Sequence, residues 1–219
     1  MKVMLKKRIP KGIRRELIVE AALEVFSKNG YDGSTIKKIS EQAQITQGLI
    51  YHHFKNKRNL YEAITKKYPT RWFVPSEDMG KIMSGDDDRK TLENFARCYL
   101  EVMRRNVQLV KFINFGRLEN PHLFEASLTK SDDSPLAILS KHSEKRIKEG
   151  KLKKKKVGLA VRIFLGMIHW YGLRSIIAKE KGWRVYNEDE VIDTIVDIYL
   201  YGMVAKSVKK ESEMQASGL

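Results

Sequence analysis

Side chains suited to reading base edges and contacting phosphates are concentrated between residues 46 and 57. Gln47 carries an amide that can pair bidentately with adenine, and Leu49 can touch a thymine methyl group. Tyr51 and His52 can donate hydrogen bonds to bases or phosphates. In one short helix these four residues would face outward, into a major groove. The apolar residues that would face inward are Ile45, Ile50 and Phe54.

Short helices must position these side chains. The apolar spacing predicts a first helix over residues 14–28, which ends at Asn29 and Gly30. The hydroxyls of Ser34 and Thr35 are expected to cap a second helix of about two turns. A tight turn and the N-cap Thr46 would introduce the third helix, Gln47–His53, and a fourth is expected over Lys57–Lys67. Two short helices joined by a tight turn are the parts of a DNA-reading helix-turn-helix.

The same residues closely resemble a known family. The residues that carry this resemblance are Ile18 to Phe26, Asn29 to Tyr31, Ser34 to Ile39 and Thr46 to Lys57, followed by Leu60 and Tyr61. They look like the N-terminal signature of the tetracycline-repressor (TetR) family of transcriptional regulators. The pattern covers about 50 residues and is highly specific in order and spacing.

The resemblance implies roles for individual residues. Thr46 would cap the recognition helix, and Gly48 would allow the close approach of a helix or DNA. Phosphates would be contacted by Thr35, Tyr51, His53 and Lys57. Gln47 is the candidate for base readout. The residues expected to bind DNA are Thr35, Thr46, Gln47, Gly48, Leu49, Tyr51, His52, His53 and Lys57.

One position departs from the family pattern. The family commonly places glycine in the turn before the recognition helix, whereas this chain has Gln44 after Ala43. Because a residue other than glycine is uncommon at positive φ, the turn either avoids that conformation or accepts a small strain.

Charge supports a polyanionic partner. The chain of 219 residues has a formal net charge of +15, and a surplus of this size favours nucleic acid or an acidic membrane surface. Residues 1–70 hold 15 basic and 6 acidic side chains. Seven of those basic residues precede Glu16, and this basic arm either neutralises phosphates beside a docked motif or serves as a solubilising tail.

Other functional classes find little support. The single cysteine, Cys98, fits a reducing cytoplasm, and no stretch is apolar and long enough for a membrane span. His52 and His53 are neighbours, whereas helical zinc ligands usually stand four residues apart. The sequence therefore indicates a cytoplasmic protein with no membrane, metal or cofactor partner and no catalytic set.

Beyond residue 70 we expect helices over about 89–106, 108–119, 135–149, 156–180 and 189–206, with a short one near 122–128. The predicted fold is all-α. An N-terminal three-helix helix-turn-helix DNA-binding domain with a basic arm, residues 1–70, would join a helical ligand-binding and dimerisation domain, residues 71–219.

The second domain is expected to hold both a partner surface and a ligand site. Residues 156–180 are apolar nearly all round, and by the resemblance the last two long helices pair with their twofold mates in a homodimer. An apolar or amphipathic small-molecule inducer would bind among aromatic and sulfur-bearing side chains. The expected ligand-binding residues are Phe95, Tyr99, Met103, Phe112, Phe115 and Trp170.

The resulting expectation is a ligand-responsive regulator, more often a repressor than an activator, that binds palindromic operator DNA as a homodimer and is released by its inducer. Two alternatives stay open. A sequence-indifferent architectural DNA protein would need only the charge of +15. An enzyme could use the aromatic C-terminal region, although no recognisable catalytic set supports it.

Overall fold

A computed structural model describes residues 11–68, 81–127, 134–153 and 156–203. Most of the basic arm therefore lies outside the described residues, as do the last three residues of the helix expected over 189–206. Within the described ranges every regular element is a helix, which confirms the all-α prediction. No helix in these ranges combines the length and apolar character that crossing a membrane requires.

The helices follow the predicted order closely. They are α1 (Lys11–Asn29), α2 (Ile36–Gln42), α3 (Gln47–His53), α4 (Lys57–Lys67), α5 (Asp88–Arg105), α6 (Val107–Glu119), α7 (Pro121–Ser127), α8 (Pro135–Lys148), α9 (Val157–Gly172), α10 (Lys181–Arg184) and α11 (Glu188–Met203). A π-helical turn, Leu173–Ile177, continues α9.

The described chain forms two compact units. The first contains residues up to Thr70 together with Asn106–Thr129, and the second contains Arg71–Arg105 and the residues from Lys130 onward. The compact units therefore do not follow the predicted boundary near residue 70, because α6 and α7 pack with α1 and α4. Apolar periodicity indicates which face of a helix is buried, but it cannot indicate which helix covers that face.

The core of the first unit is aromatic. Tyr61 of α4 is 1% exposed and lies between Phe26 of α1, at a ring-centroid distance of 5.5 Å, and Phe112 of α6, at 4.7 Å. Burial, with smaller contributions from Glu119 and Tyr31, raises the pKa of Tyr61 to about 12. The phenol therefore stays protonated, and the cluster behaves as a neutral apolar core that fastens α6 to α1 and α4.

The second unit packs α5, α8 and α11 around α9. Its core side chains include Phe95 and Met103 of α5 and Phe164 and Ile168 of α9, all of them fully buried. At Gly172 a Cβ would come within 2.6 Å of the Met103 sulfur, so this close approach of α9 to α5 requires glycine.

The helix predicted over 156–180 needs correction in detail. The helix expected over 156–180 changes to π-helical hydrogen bonding after Gly172, and the Ala178 amide donates to Leu173, five residues back. The segment then ends at Lys179, which has a φ of +55°. Apolar periodicity cannot register a single wide turn at the end of a helix, because one turn is too short to change the spacing of the apolar residues.

Candidate nucleic-acid interface

Two threonines begin the helices of the helix-turn-helix. The Thr35 hydroxyl accepts a hydrogen bond from the Lys38 amide at 3.2 Å and caps α2. The Thr46 hydroxyl accepts from the Leu49 amide at 3.3 Å and caps α3. In these bonds the hydroxyl oxygens are acceptors, so the O–H groups can still donate outward, as phosphate contacts require. The other predicted cap, Ser34, is buried and donates instead to the Gly30 carbonyl at 2.5 Å.

The third helix has an inner and an outer side, with Ile45 and Leu49 departing from the positions expected of them. Ile50 is fully buried and Phe54 is 4% exposed, whereas Ile45 is only half-buried. The exposed residues of the helix are Gln47, Gly48, Tyr51 and His52. Leu49 is half-buried, so it offers less surface to a groove than an outward position would. The outer side is therefore a polar surface at the start of a well-capped helix.

Gly48 is not required by the packing of its own unit. A Cβ at this position would find no atom within 4 Å, and no positive φ is recorded for Gly48. The absence of a side chain leaves the backbone of α3 open to approach from outside the unit. This is the geometry that contact with a DNA backbone or base edge would use.

The turn before α3 accepts strain. Gln44 has a φ of +54°, which is the left-handed region that favours glycine. The backbone is held there by hydrogen bonds on both sides, because the Gln44 amide donates to Glu41 and the Ile45 amide donates to Ser40. Of the two expected outcomes for Gln44, the turn shows the strained one.

Lys57 lies at the first position of α4 but its ammonium group is partly engaged inside the unit. It donates to the carbonyl oxygens of Tyr31 and Ser34, at 2.7 and 3.0 Å, and lies 4.2 Å from the centroid of the Tyr31 ring. The side chain is therefore held in place, rather than swinging freely in solvent. A held cation beside Thr35 suits a phosphate contact, since less rotamer entropy would be lost on binding.

His53 is half-buried and faces a cleft of about 330 Å³. The residues that line this cleft are Arg15, His53, Phe54, Lys55, Asn59, Glu62, Ala63 and Lys66. The Arg15 guanidinium lies 5.0 Å over the Phe54 ring. Lys55 and Lys66, which the sequence patterns did not single out, give the cleft an excess of positive charge next to α3.

The expected ligand-binding residues do not all lie in one unit. Phe95, Tyr99, Met103 and Trp170 belong to the second unit, whereas Phe112 and Phe115 belong to the first. Phe112 packs against Tyr61 in the core. In the second unit the Tyr99 hydroxyl and His169 Nδ1 lie 2.9 Å apart, whereas Trp170 is half exposed and stacks under Arg174.

Comparison with known proteins gives the family of the N-terminal region. Residues 18–64 match the model of bacterial regulatory proteins of the tetR family. The class D tetracycline repressor of Escherichia coli is 30% identical over 93 residues, which cover 42% of this chain and 41% of that protein. The HTH-type transcriptional regulator YvkB of Bacillus subtilis is 28% identical over 123 residues, or 55% and 59% of the two chains. The aligned region thus spans less than two thirds of these relatives.

Solved structures share the fold over nearly the whole chain. The regulator FadR of Bacillus subtilis, solved in complex with stearoyl-CoA, has a TM-score of 0.63 and 21% identity, and the alignment covers 85% of this chain and 98% of that one. The fatty acid degradation regulator FadR of Bacillus halodurans has a TM-score of 0.65 and 18% identity, with 89% and 97% covered. At such identities the likeness concerns the fold alone.

The sequence match and the geometry coincide at the same residues. The matched segment begins in α1, includes the capped helices α2 and α3, and ends in α4 at Ile64, which is fully buried. The helix-turn-helix region of this chain, residues 18–64, is therefore that of the tetR family of bacterial regulatory proteins.

Proposed function

We propose that the protein is a ligand-responsive transcriptional regulator that represses its target genes in the cytoplasm. It binds a palindromic operator as a homodimer and leaves the DNA when a small-molecule inducer binds. The observation that carries this proposal is the capped helix Gln47–His53, which buries Ile50 and presents Gln47, Tyr51 and His52 to solvent. A buried inner side and a polar outer side are what a recognition helix needs.

The second unit supplies support for a homodimer. Leu159, Ile163 and Trp170 of α9 are each more than half exposed, as are Ile198 and Tyr201 of α11. The two helices pack against one another, so large apolar side chains are exposed on neighbouring elements. A twofold partner would remove these side chains from water and place two recognition helices about one DNA turn apart, roughly 34–36 Å.

Support for an apolar or amphipathic inducer comes from two directions. Phe95, Tyr99 and Met103 form a buried face of α5 in which the Tyr99 hydroxyl and His169 supply a polar pair. A relative of similar fold, the Bacillus subtilis regulator FadR, was solved with stearoyl-CoA, a ligand with a long apolar chain. We propose that the inducer binds in the second unit and lowers operator affinity through its preference for a different conformation.

Selection from randomised duplex DNA at about 150 mM salt tests the DNA-binding part of the proposal. A regulator should enrich a palindrome and hold it roughly 10³- to 10⁷-fold more tightly than random DNA. Binding without enrichment would contradict sequence-specific regulation and favour the architectural alternative, for which the net charge of +15 suffices.

The enriched palindrome then serves as the probe for ligand screening. Acyl-CoA thioesters and free fatty acids are the first compounds to add, and an inducer should weaken operator binding by about 5- to 150-fold. A ligand that binds the protein but leaves operator affinity unchanged cannot be the inducer. Turnover of any of these ligands would instead support an enzymatic role.

A further inference from the structure

A chain of contacts runs from the C-terminal end of α6 to the predicted phosphate contacts. The Glu119 carboxylate accepts a hydrogen bond from the Tyr31 amide at 2.9 Å, although the two residues are 88 positions apart in sequence. On its other side, the Tyr31 carbonyl accepts the hydrogen bond from Lys57. The turn between α1 and α2 thus has a carboxylate from α6 on its amide and an ammonium group from α4 on its carbonyl.

The turn is shaped around the carboxylate. Gly30 has a φ of +69°, and a Cβ at this position would overlap both carboxylate oxygens of Glu119. Glycine is therefore needed here both for the backbone conformation and for the space that Glu119 occupies. The contact requires a specific residue on each side.

The aromatic ring of Tyr31 connects the turn to its neighbours in the core and to Lys57. Its face lies 5.8 Å from the Phe26 ring and nearly parallel to it, and the Tyr61 ring meets it edge-on at 5.3 Å. The Lys57 ammonium lies over the same ring. A shift of Tyr31 would therefore displace two of the three groups that hold Lys57, namely the Tyr31 carbonyl oxygen and the ring face, and leave the Ser34 carbonyl.

The stability of α6 alone does not explain a glutamate at this position. Glu119 is the last residue of α6, where the helix dipole disfavours a negative charge. Its carboxylate is exposed and could point into solvent, yet it is directed at the α1–α2 turn. Any stabilisation from Glu119 therefore comes from its contact with the α1–α2 turn and with the groups that the turn holds.

We propose that Glu119 is a positioning residue for DNA binding. It acts through Tyr31 to hold the Lys57 ammonium where it can contact a phosphate, so the orientation of α6 sets the strength of that contact. The inference rests on the proposed function for the identity of the polyanion. A movement of α6 that withdrew Glu119 would loosen Lys57 without moving the recognition helix itself.

A double-mutant cycle with Glu119→Ala and Lys57→Ala tests this positioning role. Affinity is measured by fluorescence anisotropy on the selected operator and on a random duplex. Glu119→Ala removes a negative charge and on charge alone should strengthen DNA binding. We expect the opposite, a weakening of about 3- to 10-fold, because the hydrogen bond that fixes the turn is lost. In the Lys57→Ala background the same change should weaken binding no further.

Two further variants separate positioning from general effects. Glu125→Ala removes an exposed acid from α7 of the same unit and should leave affinity unchanged or slightly raise it. Glu119→Gln keeps an acceptor oxygen for the Tyr31 amide and should stay within about 2-fold of the wild type. The Tyr31 amide resonance, followed by NMR, should shift strongly in Glu119→Ala and little in Glu119→Gln.

The outcomes are distinguishable from failure of the proposed function. If Glu119→Ala strengthens binding as Glu125→Ala does, or weakens it equally with and without Lys57, Glu119 does not act through Lys57. Because a phosphate contact is indifferent to sequence, the cycle can be completed on random duplex even if no operator is enriched. In that case the regulator proposal fails while the positioning of Lys57 is still measured.

Discussion

At the scale of single residues, the proposed DNA binding depends on which side chains of the seven-residue helix α3 are exposed to solvent. Gln47, Tyr51 and His52 are exposed on α3, whereas Lys57 is held by two carbonyl groups and an aromatic ring. These two conditions suit different tasks. An amide free in solvent can adjust to a base edge, whereas a cation that is already positioned suits a fixed phosphate.

Gln47→Ala should change specificity more than overall affinity. Loss of a bidentate amide contact is expected to relax discrimination at one or two base pairs by about 1–3 kcal/mol each. Competition binding against operator variants with single base-pair changes measures this directly. Gln108→Ala, at an exposed glutamine of α6, is the matched control. An equal loss on every DNA sequence would remove Gln47 from base readout.

The exposure of Gln47, Tyr51 and His52 could be predicted from sequence because helical periodicity fixes which residues share a face, whereas the half-burial of Leu49 could not. The contact between Glu119 and Tyr31 could not, because nothing local connects residues 88 positions apart. The same limit applies to Phe112. The sequence predicts that Phe112 binds ligand, and its packing against Tyr61 instead depends on the path of the chain between α4 and α6.

At the scale of elements, the helices α3 and α4 have the bounds that caps and periodicity predict. Thr46 and Asn56 each accept a hydrogen bond from an amide in the first turn, and this bond fixes where the helix begins. The turn between α2 and α3 is less favourable. Gln44 holds a left-handed conformation that costs an L-residue roughly 1–2 kcal/mol.

Gln44→Gly should therefore stabilise the protein. Relief of the strain outweighs the extra chain entropy of glycine in the unfolded state, and the expected net gain is about 0.5–1 kcal/mol. Thermal unfolding should show a rise in Tm of roughly 1–4 °C. Gln44→Ala keeps the Cβ and the strain, so it should give no such gain. If both variants changed Tm equally, backbone strain would not be the cause.

At the scale of the whole molecule, the second unit contains an ionic cluster between two helices. Arg146 of α8 is 3% exposed, and its Nε lies 2.6 Å from Asp88 of α5. His142 and Glu149 approach the same pair, at 3.4 Å from Asp88 and 2.5 Å from Arg146. Burial acts to raise the pKa of Asp88, but the contacts with His142 and Arg146 outweigh it and hold that pKa below its usual range.

Asp88→Asn should cost about 3 kcal/mol of unfolding free energy, because it leaves Arg146 buried with Glu149 as its remaining acid. The pKa of Asp88 is lower in the folded than in the unfolded chain. Its stabilising contribution is therefore present above the unfolded pKa and is lost as the pH falls through the folded pKa. Denaturant titrations from pH 7 downward should show the gap between wild type and Asp88→Asn closing below about pH 4. A gap independent of pH would contradict this ionic role.

The exposed apolar residues of α9 and α11 give a prediction about assembly. Ile163→Glu should raise the dissociation constant of the proposed homodimer at least about 100-fold, because each interface would contain two copies of a desolvated charge. Light scattering across a concentration series measures this change. Lys141→Glu, at an exposed position of α8, is the control and should leave the dimer intact. If Ile163→Glu behaved like the control, this face would not be the interface.

The packing of α6 against α1 and α4 also bears on modularity. Phe112 of α6 covers Phe26 and Tyr61, and Glu119 completes the turn at Tyr31. A chimera that grafted only the residues up to Thr70 onto another regulator would leave this aromatic cluster uncovered. The unit that a chimera must transfer is therefore made of two separate segments. A chimera meant to exchange DNA specificity has to include Asn106–Thr129 together with the helix-turn-helix.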